Sequence, residues 1–261
     1  MTRALVTGAT SGLGRETAVQ LARRGWRVAV SGRRQEQLEE TARLVKEAGG
    51  EPLVLLGSVT VQDEVKAHYA QIKKAWGGVD YAVLNAGVGD MMDAKEFKAE
   101  SVKWTFDANV FGVCYWMEEL IPGMLSQKLG VIAGVASLAG FRGLPKSGPY
   151  SASKAALITL LESARVDLRG TGVDIVTVCP GFVRSEMTDR NELGSMPFLM
   201  ETKDGVAAML SGIDAKQRVV HFPWQLSYAS KDLMPAIPDC LYEPLAAKFA
   251  HKRKKKPSMA K

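Results

Sequence analysis

Short apolar runs alternate with longer polar or amphipathic stretches along most of the chain, and the runs tend to end in glycine, asparagine or proline. That alternation constrains the fold more than any other feature. Runs at 4–7 (Ala-Leu-Val-Thr), 27–31, 52–56, 79–84, 130–135, 173–178 and 218–222 read as short strands. Helices are expected from the first glycine turn to about Arg24, and at about 34–48, 61–76, 101–127 and 149–169. Strand–helix–strand repeats of this kind build a parallel sheet with helices on both faces, because crossovers between parallel strands are right-handed. The expected class is α/β: a single doubly wound Rossmann-type domain of about seven parallel strands over residues 1–222, with a C-terminal extension over 223–261. At 261 residues and 46% apolar content the chain can bury such a core.

The first strand runs into Thr7-Gly8-Ala9-Thr10-Ser11-Gly12-Leu13-Gly14 and then a helix. Glycines placed there let the backbone approach an anion, and the helix N-terminus offers free N–H groups to it. The segment reads as a dinucleotide-binding turn. At the end of the second strand, where an acidic residue would hold an adenosine ribose, the chain has Gly32-Arg33-Arg34. An acid would repel a 2′-phosphate, whereas a guanidinium pairs with it in a bidentate fashion, so the expected cofactor is NADP(H).

Tyr150 and Lys154 are four apart on an expected helix and so share a face. A free tyrosine has a pKa of roughly 10, and a lysine cation within about 4–6 Å typically lowers such a value by about 1–3 units. Taken by itself the pair also fits an ordinary amphipathic helix with a buried Tyr and a solvated Lys.

The whole set of motifs resembles the short-chain dehydrogenase/reductase family from Arg3 to about Phe222. Thr7-Gly8-x-x-x-Gly12-x-Gly14, Asn85-Ala86-Gly87, Asn109, Ser137, Tyr150-x-x-x-Lys154 and Pro180-Gly181 follow in the family's order and spacing. The resemblance implies that Tyr150 exchanges a proton with the substrate oxygen and that Ser137 hydrogen-bonds that oxygen. Lys154 would hold the nicotinamide ribose and lower the Tyr150 pKa, and Asn109 would anchor a water in a relay to Lys154. The cofactor would lie on Gly8, Thr10, Ser11, Gly12, Leu13, Gly14, Arg33, Arg34, Ser58, Val59, Asn85, Ala86, Gly87, Tyr150, Lys154, Pro180, Gly181, Val183 and Ser185. Two positions depart from the pattern: Ser58 stands where the family often has Asp near the adenine, and Ser185 where it commonly has Thr near the carboxamide. Both keep a hydroxyl.

The expected activity is interconversion of a carbonyl and a secondary alcohol on an apolar or lipid-like small molecule, of the 3-oxoacyl, ketosphinganine-like, steroid or retinoid kind. The alternative is a non-catalytic NADP(H)-binding sensor or scaffold, which has no need of an activated phenol. Family resemblance also implies a homo-oligomer, dimer or tetramer, through the helices near 101–127 and 149–169.

No apolar stretch approaches the ~20 residues of a membrane span, no signal peptide is evident at Met1-Thr2-Arg3, and a cytoplasmic location is expected. Cys114, Cys179 and Cys240 lie far apart without metal-ligand spacing and read as buried thiols. The net charge of +6 owes much to Lys252-Arg253-Lys254-Lys255-Lys256, which leaves the body nearly balanced and argues against nucleic acid as a partner. That run follows Leu241, Leu245 and Phe249 at helical spacing, a pattern compatible with packing on the protein or with peripheral contact to an anionic membrane. Segment 184–204 lacks strong periodicity and reads as a lid.

Overall fold

The computed structural model describes residues 1–189 and 196–250. Seven parallel strands form one sheet in the order β3-β2-β1-β4-β5-β6-β7. They are β1 (Arg3–Thr7), β2 (Arg27–Gly32), β3 (Glu51–Leu56), β4 (Tyr81–Leu84), β5 (Gly130–Val135), β6 (Val173–Pro180) and β7 (Val219–Phe222). The connecting helices are α1 (Gly12–Ala22), α2 (Gln35–Glu47), α3 (Gln62–Trp76), α4 (Ala99–Phe106), α5 (Gly112–Gln127), α6 (Gly148–Asp167) and α7 (Thr202–Asp214). After β7 come two short turns, α8 (Trp224–Ser227) and α9 (Met234–Ala236), then α10 (Asp239–Ala250).

Successive strand residues point to opposite faces, and both faces are covered. Ala4 and Val6 of β1 join one core with Ala18 and Leu21 of α1, Leu38 of α2 and Ile213 of α7. Leu5 joins the other with Ile72 of α3, Trp116 and Leu120 of α5, and Leu157 and Leu161 of α6. Each fully buried side chain of this size contributes about 1.5–3 kcal/mol through removal from water.

The strand order reverses between β1 and β4, and the crevice of such a sheet opens there at the strands' carboxyl ends. Side chains stitch that seam. Asn85 Nδ2 donates to the carbonyls of Thr7 (3.1 Å) and Gly8 (3.3 Å), and the Ala86 N–H donates to Thr7 Oγ1 (3.0 Å). At the opposite end of the same strands the Arg3 N–H donates to Asp80 (2.9 Å), whose carboxylate also pairs with the Arg3 guanidinium. This contact holds Asp80 just ahead of β4, which begins at Tyr81 rather than at the expected Val79.

The helix expected over 101–127 is three pieces, because residues 107–111 form a π-helical turn between α4 and α5. Helix α7 has no counterpart in the sequence reading. It carries Gly205 and Gly212, residues that weaken a helical pattern. A Cβ on Gly212 would lie 2.5 Å from Val220 Cγ2, so β7 packs too closely for any larger residue there. The supposed lid is partly ordered structure: Val183 and Met200 form a β-bridge and α7 begins at Thr202, while 190–195 lie outside the described residues.

The cysteine expectation also needs correction. Among the described residues all three are unpaired, but only Cys179 is buried, with Cys114 intermediate and Cys240 exposed. Among the described residues no helix is long and apolar enough to cross a membrane. The basic run 252–256 and the Phe249 side chain lie outside what is described, whereas Leu241 and Leu245 are exposed.

Candidate active site

The turn after β1 packs as tightly as its glycines suggested. Gly8 has φ +65°, and a Cβ on Gly14 would overlap the Gly8 carbonyl oxygen. Ser11 is the N-cap of α1, and its side chain makes no capping bond to the helix. Free N–H groups at the start of α1, under a turn without side chains, fit an anionic pyrophosphate. Arg15, unremarked in the sequence, braces the turn by donating to the Thr10 carbonyl (2.6 Å) and the Gln37 carbonyl (3.1 Å).

Of the two arginines expected at the 2′-phosphate, Arg34 reaches the turn. Its Nη2 donates to Thr10 Oγ1 (2.9 Å) and Ser11 Oγ (3.0 Å), and its Nη1 pairs with Glu186 (2.9 Å). Arg33 is exposed. Ser58 lies in a tight turn after β3, its N–H donating to Glu64 (2.6 Å) and its hydroxyl 2.9 Å from Thr60 Oγ1. Val59 is drawn against α5, where a Cβ on Gly112 would come within 2.8 Å of it.

Asn85-Ala86-Gly87 continues from β4 into the centre of the crevice. A Cβ on Gly87 would meet Asn109 Oδ1 at 3.1 Å and Lys154 Nζ at 3.4 Å. Asn109 is fully buried in the π-turn. Its Oδ1 accepts from the Val88 N–H (2.7 Å), while Nδ2 donates to the Val88 carbonyl (2.9 Å) and to Ser153 Oγ (2.9 Å). Ser153 in turn donates to the Tyr150 carbonyl (2.8 Å). Sequence reasoning missed Ser153, although its position between Tyr150 and Lys154 on one helix was a usable signal.

Ser137 follows β5 and Tyr150 and Lys154 stand on the first turns of α6, so the carboxyl end of an interior strand and one helix meet at this point. The Ser137 hydroxyl accepts from the Ala139 N–H (3.1 Å), donates to the Pro180 carbonyl (3.5 Å), and lies near enough to the Tyr150 hydroxyl to oppose the rise of its pKa. It therefore caps a turn while standing beside Tyr150. Lys154 Nζ lies 5.7 Å from the centre of the Tyr150 ring, and Gly89 packs against that ring, where a Cβ would lie 3.1 Å from Tyr150 Cδ2.

The expected electrostatic coupling is not what the structure shows. Burial raises the Tyr150 pKa, the Ser137 hydrogen bond opposes that rise, and nearby Cys179 adds to it. Lys154 is buried and donates a hydrogen bond to the Val135 carbonyl (2.7 Å), and desolvation brings its pKa down to about 8. Lys154 makes no hydrogen bond to the phenol among the described residues, so burial decides the direction in which Tyr150 shifts.

The end of β6 completes the crevice. The Gly181 N–H donates to the Phe222 carbonyl (2.7 Å), Val183 is buried, and the Ser185 N–H donates to Thr188 Oγ1 (2.8 Å). A Cβ on Gly12 would lie 3.1 Å from Ser185 Cβ, so this turn rests directly on the glycine loop.

Residues 2–194 match the family model described as short chain dehydrogenase. The chain is 45% identical over 248 residues to an uncharacterized oxidoreductase of Myxococcus xanthus, covering 94% of this chain and 96% of that one. It is 36% identical to the 3-oxoacyl-(acyl-carrier-protein) reductase FabG of Staphylococcus aureus over 71% of this chain and 76% of the relative. It is also 34% identical to a 3beta-hydroxysteroid dehydrogenase of Mediterraneibacter gnavus over 72% of this chain and 68% of that protein. A short-chain type dehydrogenase/reductase from Mycobacterium marinum superposes with a TM-score of 0.76 at 26% identity, covering 84% of this chain and 92% of that one. Levodione reductase shares the fold at a TM-score of 0.80, with 24% identity over 88% of this chain and 98% of that one. The chain belongs to the short-chain dehydrogenase/reductase family. The family's members use a nicotinamide nucleotide.

Proposed function

We propose that the protein is an NADP(H)-dependent oxidoreductase that interconverts a carbonyl and a secondary alcohol. The observation carrying this reading is geometric: buried Lys154 stands 5.7 Å from the centre of the Tyr150 ring on one helix, with buried Ser137 near at the end of β5. The glycine loop fits a dinucleotide, since it has no room for a Cβ at Gly14 and leaves helix N–H groups free. Gly8, Thr10, Ser11, Gly12, Leu13 and Gly14 would hold the pyrophosphate end, and Arg33 and Arg34 the 2′-phosphate. Ser58 and Val59 would flank the adenine, with Asn85, Ala86, Gly87 and Lys154 at the nicotinamide ribose. Pro180, Gly181, Val183 and Ser185 would face the carboxamide. When bound, the cofactor supplies or accepts the hydride.

Within this reading Tyr150 gives its proton to the substrate oxygen on reduction and takes it back on oxidation. Ser137 donates to the same oxygen as negative charge develops. Lys154, brought down to about 8, can pass a proton near neutral pH, and Asn109 holds the backbone at Val88 so that a relay can form behind it.

An apolar substrate is supported by the relatives' names, one a 3-oxoacyl reductase and one a hydroxysteroid dehydrogenase. Leu226 packs at Gly181, in a segment that also exposes Trp224, Tyr228 and Leu233. Exposed Phe111, the last residue of the π-turn before α5, and exposed Val166, near the end of α6, suit burial in a dimer or tetramer. The exposed Leu241 and Leu245, followed by the basic run 252–256, support reversible contact with an anionic membrane surface.

NADPH consumption across ketones of increasing chain length tests the main reading, with Tyr150→Phe as control. Turnover should rise with chain length and fall at least ~10²-fold in the variant, the lower end for losing a general acid. Cofactor binding without turnover on any carbonyl would favour the sensor instead.

A further inference from the structure

The turn Ser185–Asp189 is closed by its own bonds: the Thr188 and Asp189 N–H groups both donate to the Ser185 carbonyl at 2.9 Å, and Thr188 Oγ1 donates to the Val183 carbonyl at 2.9 Å. So held, the turn rests on Gly12 and offers the Glu186 carboxylate to Arg34 at 2.9 Å. The same guanidinium donates to Thr10 and Ser11, so one cation joins the cofactor turn to the segment after β6. A carboxylate paired with this arginine resembles a phosphate in charge sign and in the oxygens it presents.

We propose that Glu186 is a specificity-determining residue that competes with the cofactor's 2′-phosphate for Arg34. The inference rests on the NADP(H) reading above and adds a residue that reading does not use. A nucleotide with a 2′-phosphate must displace Glu186 from Arg34 and then bear the nearness of its carboxylate. A nucleotide with a bare 2′-hydroxyl leaves the pair in place. Glu186 thus narrows the preference that Arg34 creates, since discrimination is a difference between two affinities. The pair is half exposed on both sides, which limits the effect to that of a surface ion pair and makes it weaken with salt.

Dissociation constants for NADPH, NADH and the fragment 2′,5′-ADP, measured by calorimetry on the purified protein, test this without turnover. Glu186→Gln should tighten NADPH and 2′,5′-ADP about two- to fivefold, the range open to an exposed pair. NADH should stay unchanged, and the gain should shrink in high salt. In an Arg34→Ala background the same Glu186→Gln change should lose most of its effect, because the competed group is gone. Wild type preferring NADPH with no change in Glu186→Gln would overturn the role of Glu186 and leave the cofactor reading standing. Wild type preferring NADH would overturn both.

Discussion

Lys154 Nζ donates a hydrogen bond to the carbonyl of Val135, 2.7 Å away at the last residue of β5. Desolvation takes the Lys154 pKa from 10.5 to about 8, and this has a thermodynamic signature. Below pH 8 the folded and unfolded chains both carry the charge, and its burial counts fully against folding. Between about 8 and 10.5 the unfolded chain binds the extra proton, so stability rises with pH. Wild type should therefore gain on Lys154→Met across that window, by on the order of 3 kcal/mol at full relief. Urea unfolding of both proteins at several pH values measures it, and parallel curves would contradict the shifted lysine.

The two arginines after β2 should differ in weight. Both are exposed, but Arg34 donates to Thr10 and Ser11, whereas Arg33 has no such bond among the described residues. Arg34→Asp should weaken NADPH more than Arg33→Asp does, and should raise NADH relative to NADPH in direct titration. An equal loss in the two variants would mean that both guanidinia share the phosphate.

Arg142 fastens the C-terminal segment to the loop between Ser137 and Tyr150. Its Nη1 donates to the carbonyls of Met234 (2.8 Å) and Ile237 (2.9 Å), its Nη2 pairs with Asp239 (2.6 Å), and it stacks on Tyr242 at 4.1 Å. Tyr242 closes the clasp by donating to the Gly143 carbonyl (2.6 Å). Arg142→Ala should cost about 1.5–3 kcal/mol, the range for hydrogen bonds to a charged group. Limited proteolysis should then cut within 234–250 first, and an unchanged digestion pattern would mean that the segment is held elsewhere.

Asn109 is the partner of both backbone groups of Val88. Asn109→Ala leaves that buried N–H and carbonyl without it, and should cost about 2–4 kcal/mol in chemical unfolding. Ser153→Ala, which removes one acceptor of the same amide, should cost less, about 1 kcal/mol. The reverse order would show that Ser153 is the main support.

The strands were legible because their runs are apolar and end in turn residues; β1 and β2 lie where the sequence put them to within a residue or two. The glycine turn was legible too, since no other residue tolerates the approach of Gly14 to Gly8. What escaped depends on distant partners. Helix α7 was hidden by two glycines whose purpose shows only against Val220 and Val183. The π-turn exists where Asn109 meets Val88, a loop residue twenty-one positions earlier. The direction of the Lys154 ammonium depends on Val135, and no spacing along α6 could reveal it. Glu186 carried no local signal at all.

The seam between β1 and β4 has a further consequence. The cofactor turn and Arg34 belong to the part of the chain before it, while Asn109, Ser137, Tyr150 and Lys154 all come after it. Thr7 and Asn85 join the two across side-chain and backbone bonds that need only those two side chains. On the reading proposed above, nucleotide choice is thus written mostly before the seam and the chemistry after it, with Glu186 reaching back across it to Arg34. A chimera crossed over between Leu84 and Asn85, with Thr7 and Asn85 kept, should carry the preference set by Arg34 across and keep the Glu186 and the chemistry of the second parent.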